Sequence, residues 1–205
     1  VFIRNPIDTR LAPDEGIVPM TERKHVLWIG RADRDCKRAD LCLQLAAECP
    51  EVPFLAVMNP QDSATELQLL ASRPPNVTIL PRIPWRQTDR LYRHALALLN
   101  TSESEGFPNA FLQAAKFGVP ILSRRVNPDQ VLTEHGIGFV AQDDLSRLAQ
   151  MLRQLHATPE RFSWVSRAGR RYVERYHALE SRIGELHRAL GLGLVAGISS
   201  QRRAG

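Results

Sequence analysis

Two short stretches concentrate the residue types that do chemistry. The first is Gly30-Arg31-Ala32-Asp33-Arg34-Asp35-Cys36-Lys37-Arg38, which follows the apolar run Val26-Leu27-Trp28-Ile29. Gly30 lets a ligand approach the backbone closely. Arg31, a planar fork, and Lys37, a mobile point charge, have the chemistry to converge on a diphosphate. Taken alone the stretch reads as a solvated basic loop, since it holds neither GxGxxG nor GxxxxGK[ST]. The second stretch runs from Asn100 through Thr101, Ser102, Glu103, Ser104, Glu105, Gly106, Phe107 and Pro108 to Asn109. It leads into a helix expected over Pro108 to Phe117, with Pro108 in the first turn. Unpaired N–H groups around Asn109 and Ala110, together with the helix dipole, make an anion site there. Glu105 either caps that helix or accepts hydrogen bonds from sugar hydroxyls. Gln113, one helical turn beyond Asn109, is spaced to border the same pocket as Glu105.

Other constellations carry less. Cys36, Cys42 and Cys49 are an odd number with no CxxC pair and no neighbouring His, which argues for reduced thiols and against zinc. Cys42 and Cys49, one heptad apart, read as core. Asp143-Asp144 reads as a helix cap rather than a metal pair. His94 and His135 read as structural, and no Ser-His-Asp or Cys-His set has supporting spacing. Trp28 reads as strand core. Trp85 and Trp164 read as cleft-edge or ordinary packing residues.

The elements that must position the two stretches alternate in type. Strands are expected at Val26–Ile29, Phe54–Met58, Val77–Leu80, Ala95–Leu99, Val119–Ser123 and Gly138–Val140. Helices are expected at Arg38–Cys49, Ser63–Ser72 (carrying Leu67, Leu70 and Ala71), Thr88–His94, Pro108–Phe117, Asp129–Glu134 and Leu145–His156. A single long Arg-rich helix is expected over Pro159–Leu190, followed by a frayed tail from Ala196 to Gly205. Strands that are apolar throughout and alternate with helices imply a parallel sheet covered on both faces. The expected architecture is a doubly wound, Rossmann-like α/β sheet of about six strands. In the common order 3-2-1-4-5-6 its ligand crevice lies beyond strands 1 and 4, which the two stretches follow.

Composition narrows the class. The 205 residues carry a formal charge of +5, with 43% hydrophobic and 24% charged residues, ordinary values for a globular protein. Disorder, collagen and a disulfide scaffold are excluded. No apolar run reaches membrane-span length, and no signal peptide precedes the first strand. The basic balance comes from 24 Arg against 3 Lys, spread along the chain without the interleaved aromatics of a single-strand binder. No nucleic-acid partner is expected. A solvated basic surface is the first reading, and a local phosphate or acidic membrane surface the second.

The run Ser104-Glu105-Gly106-Phe107-Pro108-Asn109-Ala110-Phe111-Leu112-Gln113-Ala114-Ala115-Lys116-Phe117-Gly118-Val119-Pro120 resembles the E-G-F-x-x-x-x-x-E-A-x-x-x-G-x-P signature of retaining, nucleotide-sugar-dependent glycosyltransferases of the GT-B fold, GT4 family. The flanks agree. Gly30-Arg31 with Lys37 resembles the family's G-R-(spacer)-K-G loop, Asn76 to Arg82 its nucleobase segment, Pro128 to Val131 its P-E-(I/L)-V segment and Gly136 to Val140 the strand after it. The resemblance implies that Arg31 and Lys37 bind the donor diphosphate and stabilise the leaving group without a metal. It implies that Glu105 contacts donor-sugar hydroxyls and that the backbone of Gly106, Phe107, Pro108, Asn109 and Ala110 holds sugar and phosphate. Arg82 and Ile83 would lie against the base of a UDP-, GDP- or ADP-sugar. Gln113 stands where the family has a second Glu gripping the ribose, which implies altered donor binding. Arg38 and Pro81 each replace a family glycine, and Arg124-Arg125-Val126-Asn127 replaces a Gly-Gly.

The chain opens at Val1, and Val1 to Asp8 resembles the segment through which such chains pass from the acceptor domain into the donor domain. The resemblance implies that residues 1–195 are the donor-binding half of a chain about twice as long. The acceptor domain would be a missing N-terminal domain or a partner chain. The implied work is sugar transfer to a surface polysaccharide or glycolipid, in the cytoplasm or peripherally at the inner membrane face. A non-catalytic nucleotide-sugar-binding module and a subunit of a split transferase are the alternatives, and a related epimerase is disfavoured.

Overall fold

The computed structural model describes residues 4–11, 16–59, 62–84 and 87–190. The expected positions of Trp85 and of the tail from Ala196 lie outside the described residues. Six strands form one sheet: β1 (His25–Arg31), β2 (Phe54–Asn59), β3 (Val77–Leu80), β4 (Ala95–Asn100), β5 (Ile121–Ser123) and β6 (Gly138–Val140). Their order is β3-β2-β1-β4-β5-β6 and every pairing is parallel. The doubly wound, Rossmann-like architecture read from the alternating pattern is therefore the one observed.

Each parallel junction needs a crossover, and the helices supply it on both faces. Helices α1 (Ala39–Glu48), α2 (Ser63–Ala71) and α6 (Leu145–Ala157) cover one face, where Val26 and Trp28 meet Cys42, Cys49, Leu69, Leu148 and Leu152. Helices α3 (Asp89–Arg93), α4 (Asn109–Lys116), α5 (Val131–Glu134) and α7 (Ser163–His177) cover the other, where Leu27 and Leu98 meet Leu91, Phe111, Val131 and Tyr172. Cys42 and Cys49 are buried free thiols, as their heptad spacing implies.

Three expectations are corrected. The long helix over 159–190 is broken into a 3-10 turn at Pro159–Phe162, then α7, then α8 (Leu179–Ala189). At the break Ala178 is extended, with ψ 127°. The break has a partner: Ile7 N–H donates to His177 O at 2.8 Å, and Leu179 N–H donates to Ile7 O at 3.0 Å. The backbone groups freed by breaking the helix are thus satisfied by the chain's own opening segment. On α2 the buried side chain is Leu69, whereas Leu67 and Leu70 are exposed. Pro108 sits just before the first turn of α4 rather than inside it, with ψ 122°.

The short strands β5 and β6 approach too closely for any side chain at Gly138. A Cβ built there would lie 2.2 Å from the Ile121 carbonyl oxygen, which the parallel ladder fixes in place. Gly138→Ala is expected to destabilise the protein by about 3 kcal/mol, at the upper end for overpacking. The urea midpoint would fall with an unchanged m-value.

Candidate functional site

The order of strands brings the two chemistry-bearing loops side by side, because β1 and β4 are neighbours at the centre of the sheet. Lys37 Nζ stands 2.6 Å from Glu105 Oε2. Each loop is built to hold its member of that pair. In the β1–α1 loop, Asp33 Oδ1 accepts from the backbone N–H of Cys36 at 2.8 Å and of Lys37 at 2.6 Å. Thr101 Oγ1, fully buried, donates to the carbonyl region of Lys37 and Arg38 at 2.8 and 3.0 Å, and accepts from Trp28 Nε1 at 2.9 Å. Gly30 leaves room for the lysine stem, since a Cβ there would lie 3.5 Å from Lys37 Cγ and 3.3 Å from the Trp28 ring.

In the β4–α4 loop, Asn100 Nδ2 and Ser102 Oγ donate to Glu105 Oε1 at 2.8 and 2.7 Å. Burial alone would raise the Glu105 carboxyl, but the bonds from Lys37, Ser102 and Asn100 outweigh it and hold the group below its ordinary range. Glu105 therefore does not cap α4. No side chain does, so the first N–H groups of that helix, at Asn109 and Ala110, stay available at its positive end. Asn109 Oδ1 accepts from Asn5 Nδ2 at 3.2 Å.

Glu105 borders two cavities. One, of about 150 Å³, lies between Lys37, Thr101, Pro108, Asn109 and Ala110. The other, of about 720 Å³, is lined by Gly106, Phe107, Asp129, Glu134, His135 and Tyr172 among others. Glu105 is thus the wall between a small cationic recess and a larger polar, aromatic chamber.

The remaining expected residues fall in three places. Arg31 ends β1, half exposed, with its guanidinium 3.3 Å from Asp33 Oδ2 and not against Glu105. Arg82 and Ile83 follow β3, two strands away from β1; Arg82 is exposed and Ile83 packs against the α3–α4 side of the core. Gln113 is buried, and every residue from Phe111 to Pro120 is buried with it, so it lines neither cavity. Its Oε1 has no hydrogen-bond partner among the described residues. The expectation that Gln113 borders the Glu105 pocket is corrected on that geometry. Trp164 is half exposed, edge-on to Phe139 with centroids 6.3 Å apart. Asp144 caps α6 by accepting from Arg147 N–H at 3.0 Å, and Asp143 pairs with Arg124.

The sequence reading missed the supporting groups Asp33, Asn100, Thr101 and Ser102. For the last three the signal was present: a strand whose every residue is buried ends on the polar Asn100 and runs straight into Thr101 and Ser102. It also missed Glu103, on which three arginines converge. Arg38 Nη1 and Arg124 Nη1 each lie 2.7 Å from Glu103 Oε1, and Arg125 Nη1 lies 3.1 Å from Oε2. Arg124 and Arg38 pull the Glu103 carboxyl down to about 2.

Comparison with known proteins places this geometry. The sequence profile of the family described as "Glycosyl transferases group 1" matches residues 23–158. "Glycosyltransferase 1 domain-containing protein 1" of Xenopus tropicalis is 26% identical over 104 residues, covering 51% of this chain and 30% of that protein. Among solved structures, Anabaena HepE in complex with UDP and glucose superposes with a TM-score of 0.76 at 16% identity, over 92% of this chain and 56% of that one. S. aureus TarM, in complex with fondaparinux, alpha-GlcNAc-glycerol and UDP, gives 0.73 at 16% identity, over 92% and 38%. Sucrose-phosphate synthase from Thermosynechococcus elongatus gives 0.68 at 23% identity, over 85% and 47%. The chain thus spans from under a third to just over half of these relatives' lengths.

Because Glu105 is held below its ordinary value of 4.5, its pair with Lys37 stabilises the fold above that value. The contribution is lost as pH falls through the lowered folded-state value. The gap in thermal midpoint between the wild type and Glu105→Gln is therefore expected to be constant near neutrality. It should narrow progressively once the pH drops below the ordinary carboxylate range.

Proposed function

The chain belongs to the group 1 glycosyl transferases, and from that premise we propose that it is the donor-binding half of a retaining GT-B glycosyltransferase. It would take a nucleoside-diphosphate sugar and present it to an acceptor hydroxyl held by a second domain or a partner chain. The proposed acceptor is a growing surface polysaccharide or glycolipid at the cytoplasmic face of a membrane. One observation carries the reading: the 2.6 Å pair between Lys37 and Glu105, across the two loops at the open N-terminus of α4.

In this proposal the pair is a placeholder. An incoming diphosphate draws Lys37 Nζ onto its oxygens and takes up the N–H groups of Asn109 and Ala110. Arg31, already at the strand end, adds a second cation. Glu105, released from Lys37 but still gripped by Asn100 and Ser102, turns its free oxygen to the sugar hydroxyls. As the glycosidic bond breaks, negative charge develops on the leaving diphosphate, where Lys37 and the helix end are fixed in advance. The cavity volumes fit this division, with the small recess on the Lys37 side of Glu105 and the large chamber on the other. Solved relatives were crystallised with UDP and with UDP-glucose, which makes uridine nucleotides the first candidates.

A second reading, a nucleotide-sugar-binding module without transfer, is favoured by Gln113. The amide stands where the family has a carboxylate, and it is buried with its Oε1 unpartnered. Gln113→Glu in the full-length protein, assayed for transfer, separates the two: a gain of activity from none supports the module.

Calorimetric titration with UDP, GDP, ADP and UDP-glucose tests the donor site. Lys37→Ala is expected to weaken the preferred nucleotide by about 10- to 100-fold, the worth of a charged hydrogen bond. Arg31→Ala is expected to have a smaller effect in the same direction. Unchanged binding in Lys37→Ala would overturn the assignment.

A further inference from the structure

We infer that Glu103 is a positioning residue for the donor site, holding Lys37 against Glu105 through Arg38; the inference rests on the donor-site reading above. Glu103 touches neither Lys37 nor the recess that Lys37 lines. It is joined instead to the residue on each side of Lys37. Its backbone N–H donates to Cys36 O at 2.8 Å, and its Oε1 accepts from Arg38 Nη1 at 2.7 Å. The Lys37–Glu105 and Arg38–Glu103 pairs therefore run side by side between the same two loops, the first at the ligand and the second behind it.

Arg38 could not hold this place alone. It occupies the left-handed region at φ 53°, and Asp40 fixes its guanidinium from the α1 side at 2.9 Å. Thr101 holds the Arg38 backbone carbonyl from the β4–α4 loop, and among the described residues Glu103 is what that loop offers the Arg38 guanidinium. Arg124 and Arg125 bring the loop after β5 onto the same carboxylate, and Arg124 also donates to the Thr101 carbonyl at 3.4 Å. Three guanidinium groups gather on one carboxylate, so neutralising it sets like charges against one another. The relief available is separation of the loops, which pulls Lys37 away from Glu105.

The chain offers a direct readout. It has three lysines, Lys24, Lys37 and Lys116, so lysine-selective NMR gives three side-chain signals. Lys116 pairs with Asp89 at 3.0 Å, away from this cluster, and reports the general fold. Glu103→Gln is expected to move the Lys37 signal toward that of a solvated lysine while Lys116 stays in place. Glu103→Asp should restore most of the shift. Arg38→Gly keeps a residue that accepts the left-handed backbone and removes only the guanidinium. It should reproduce the Glu103→Gln change, and the double variant should move no further. UDP titrations should follow the same pattern, with Kd raised about tenfold in either single variant and no more in the double. An unmoved Lys37 signal in Glu103→Gln, or additive effects in the double variant, would overturn the inference. If the wild type binds none of UDP, GDP or ADP, the donor-site reading fails, and the Lys37 signal still decides the positioning role. Should Glu103→Gln not fold, Arg38→Gly and Glu103→Asp carry the same test.

Discussion

The pairing of β1 with β4 is the constraint on which the site depends. Parallel strands cannot be joined by a hairpin, so residues 32–94 are spent on two further strands and their crossovers before the chain returns beside β1. The return reverses the direction of winding, and helices move from one face of the sheet to the other. At that reversal the helices that follow the two central strands, α1 and α4, pack on opposite faces of the sheet. The loops after β1 and β4 are left facing each other across a gap that neither fills. The candidate site is assembled across that gap: Lys37 from one loop, Glu105 from the other, and the uncapped end of α4 beside them.

Holding two charged side chains there takes a hierarchy of weaker contacts. Trp28 is core on the α1 face, yet its indole N–H reaches Thr101, whose hydroxyl in turn donates to the Lys37 and Arg38 carbonyls. Packing of the hydrophobic core thus sets the height of the lysine above the strand ends. The carboxylate of Glu105 is fixed independently, by Asn100 at the last position of β4 and by Ser102. The pair is half-buried, and an ion pair taken partly out of water is stabilising only when its remaining hydrogen-bonding capacity is met; for the carboxylate, Asn100 and Ser102 meet it.

The sheet was legible in the sequence because its information is local. Apolar runs such as Val26–Ile29 and Ala95–Leu99 are buried on both sides, and such runs mark parallel strands. The pairing of Lys37 with Glu105 was legible only in part: residue types and loop positions suggested a shared pocket, but not that the two would neutralise each other. Gln113 was misplaced because helical spacing gives direction from the axis, and not which neighbouring helix closes over that direction. The break at Ala178 was invisible for the same kind of reason. Nothing near residue 178 interrupts a helical pattern; the partner that makes the break tolerable is Ile7, at the other end of the chain. Glu103 looked like one acid among several in a polar loop, and its importance lies in three arginines brought from separate loops.

Backbone strain is distributed in a way that separates the two ends of the sheet. At the amino end, the left-handed turns after α4 and α5 are taken by Gly118 and Gly136, with φ of 61° and 63°, where the conformation costs little. At the carboxyl end the left-handed residues described are Arg38, Asp129, Gln130, Gln142 and Asp143, none of them glycine. Each such position costs about 1–3 kcal/mol and persists only when its surroundings over-determine it. For Arg38 and Asp143 those surroundings are visible: Asp40 and Glu103 hold the first, Arg124 and Arg125 the second. Glycine would satisfy the backbone at both places with less strain, but it would supply no side chain to join the loops. The conformational cost at Arg38 and Asp143 is therefore offset by ion pairs that join the loops around the gap.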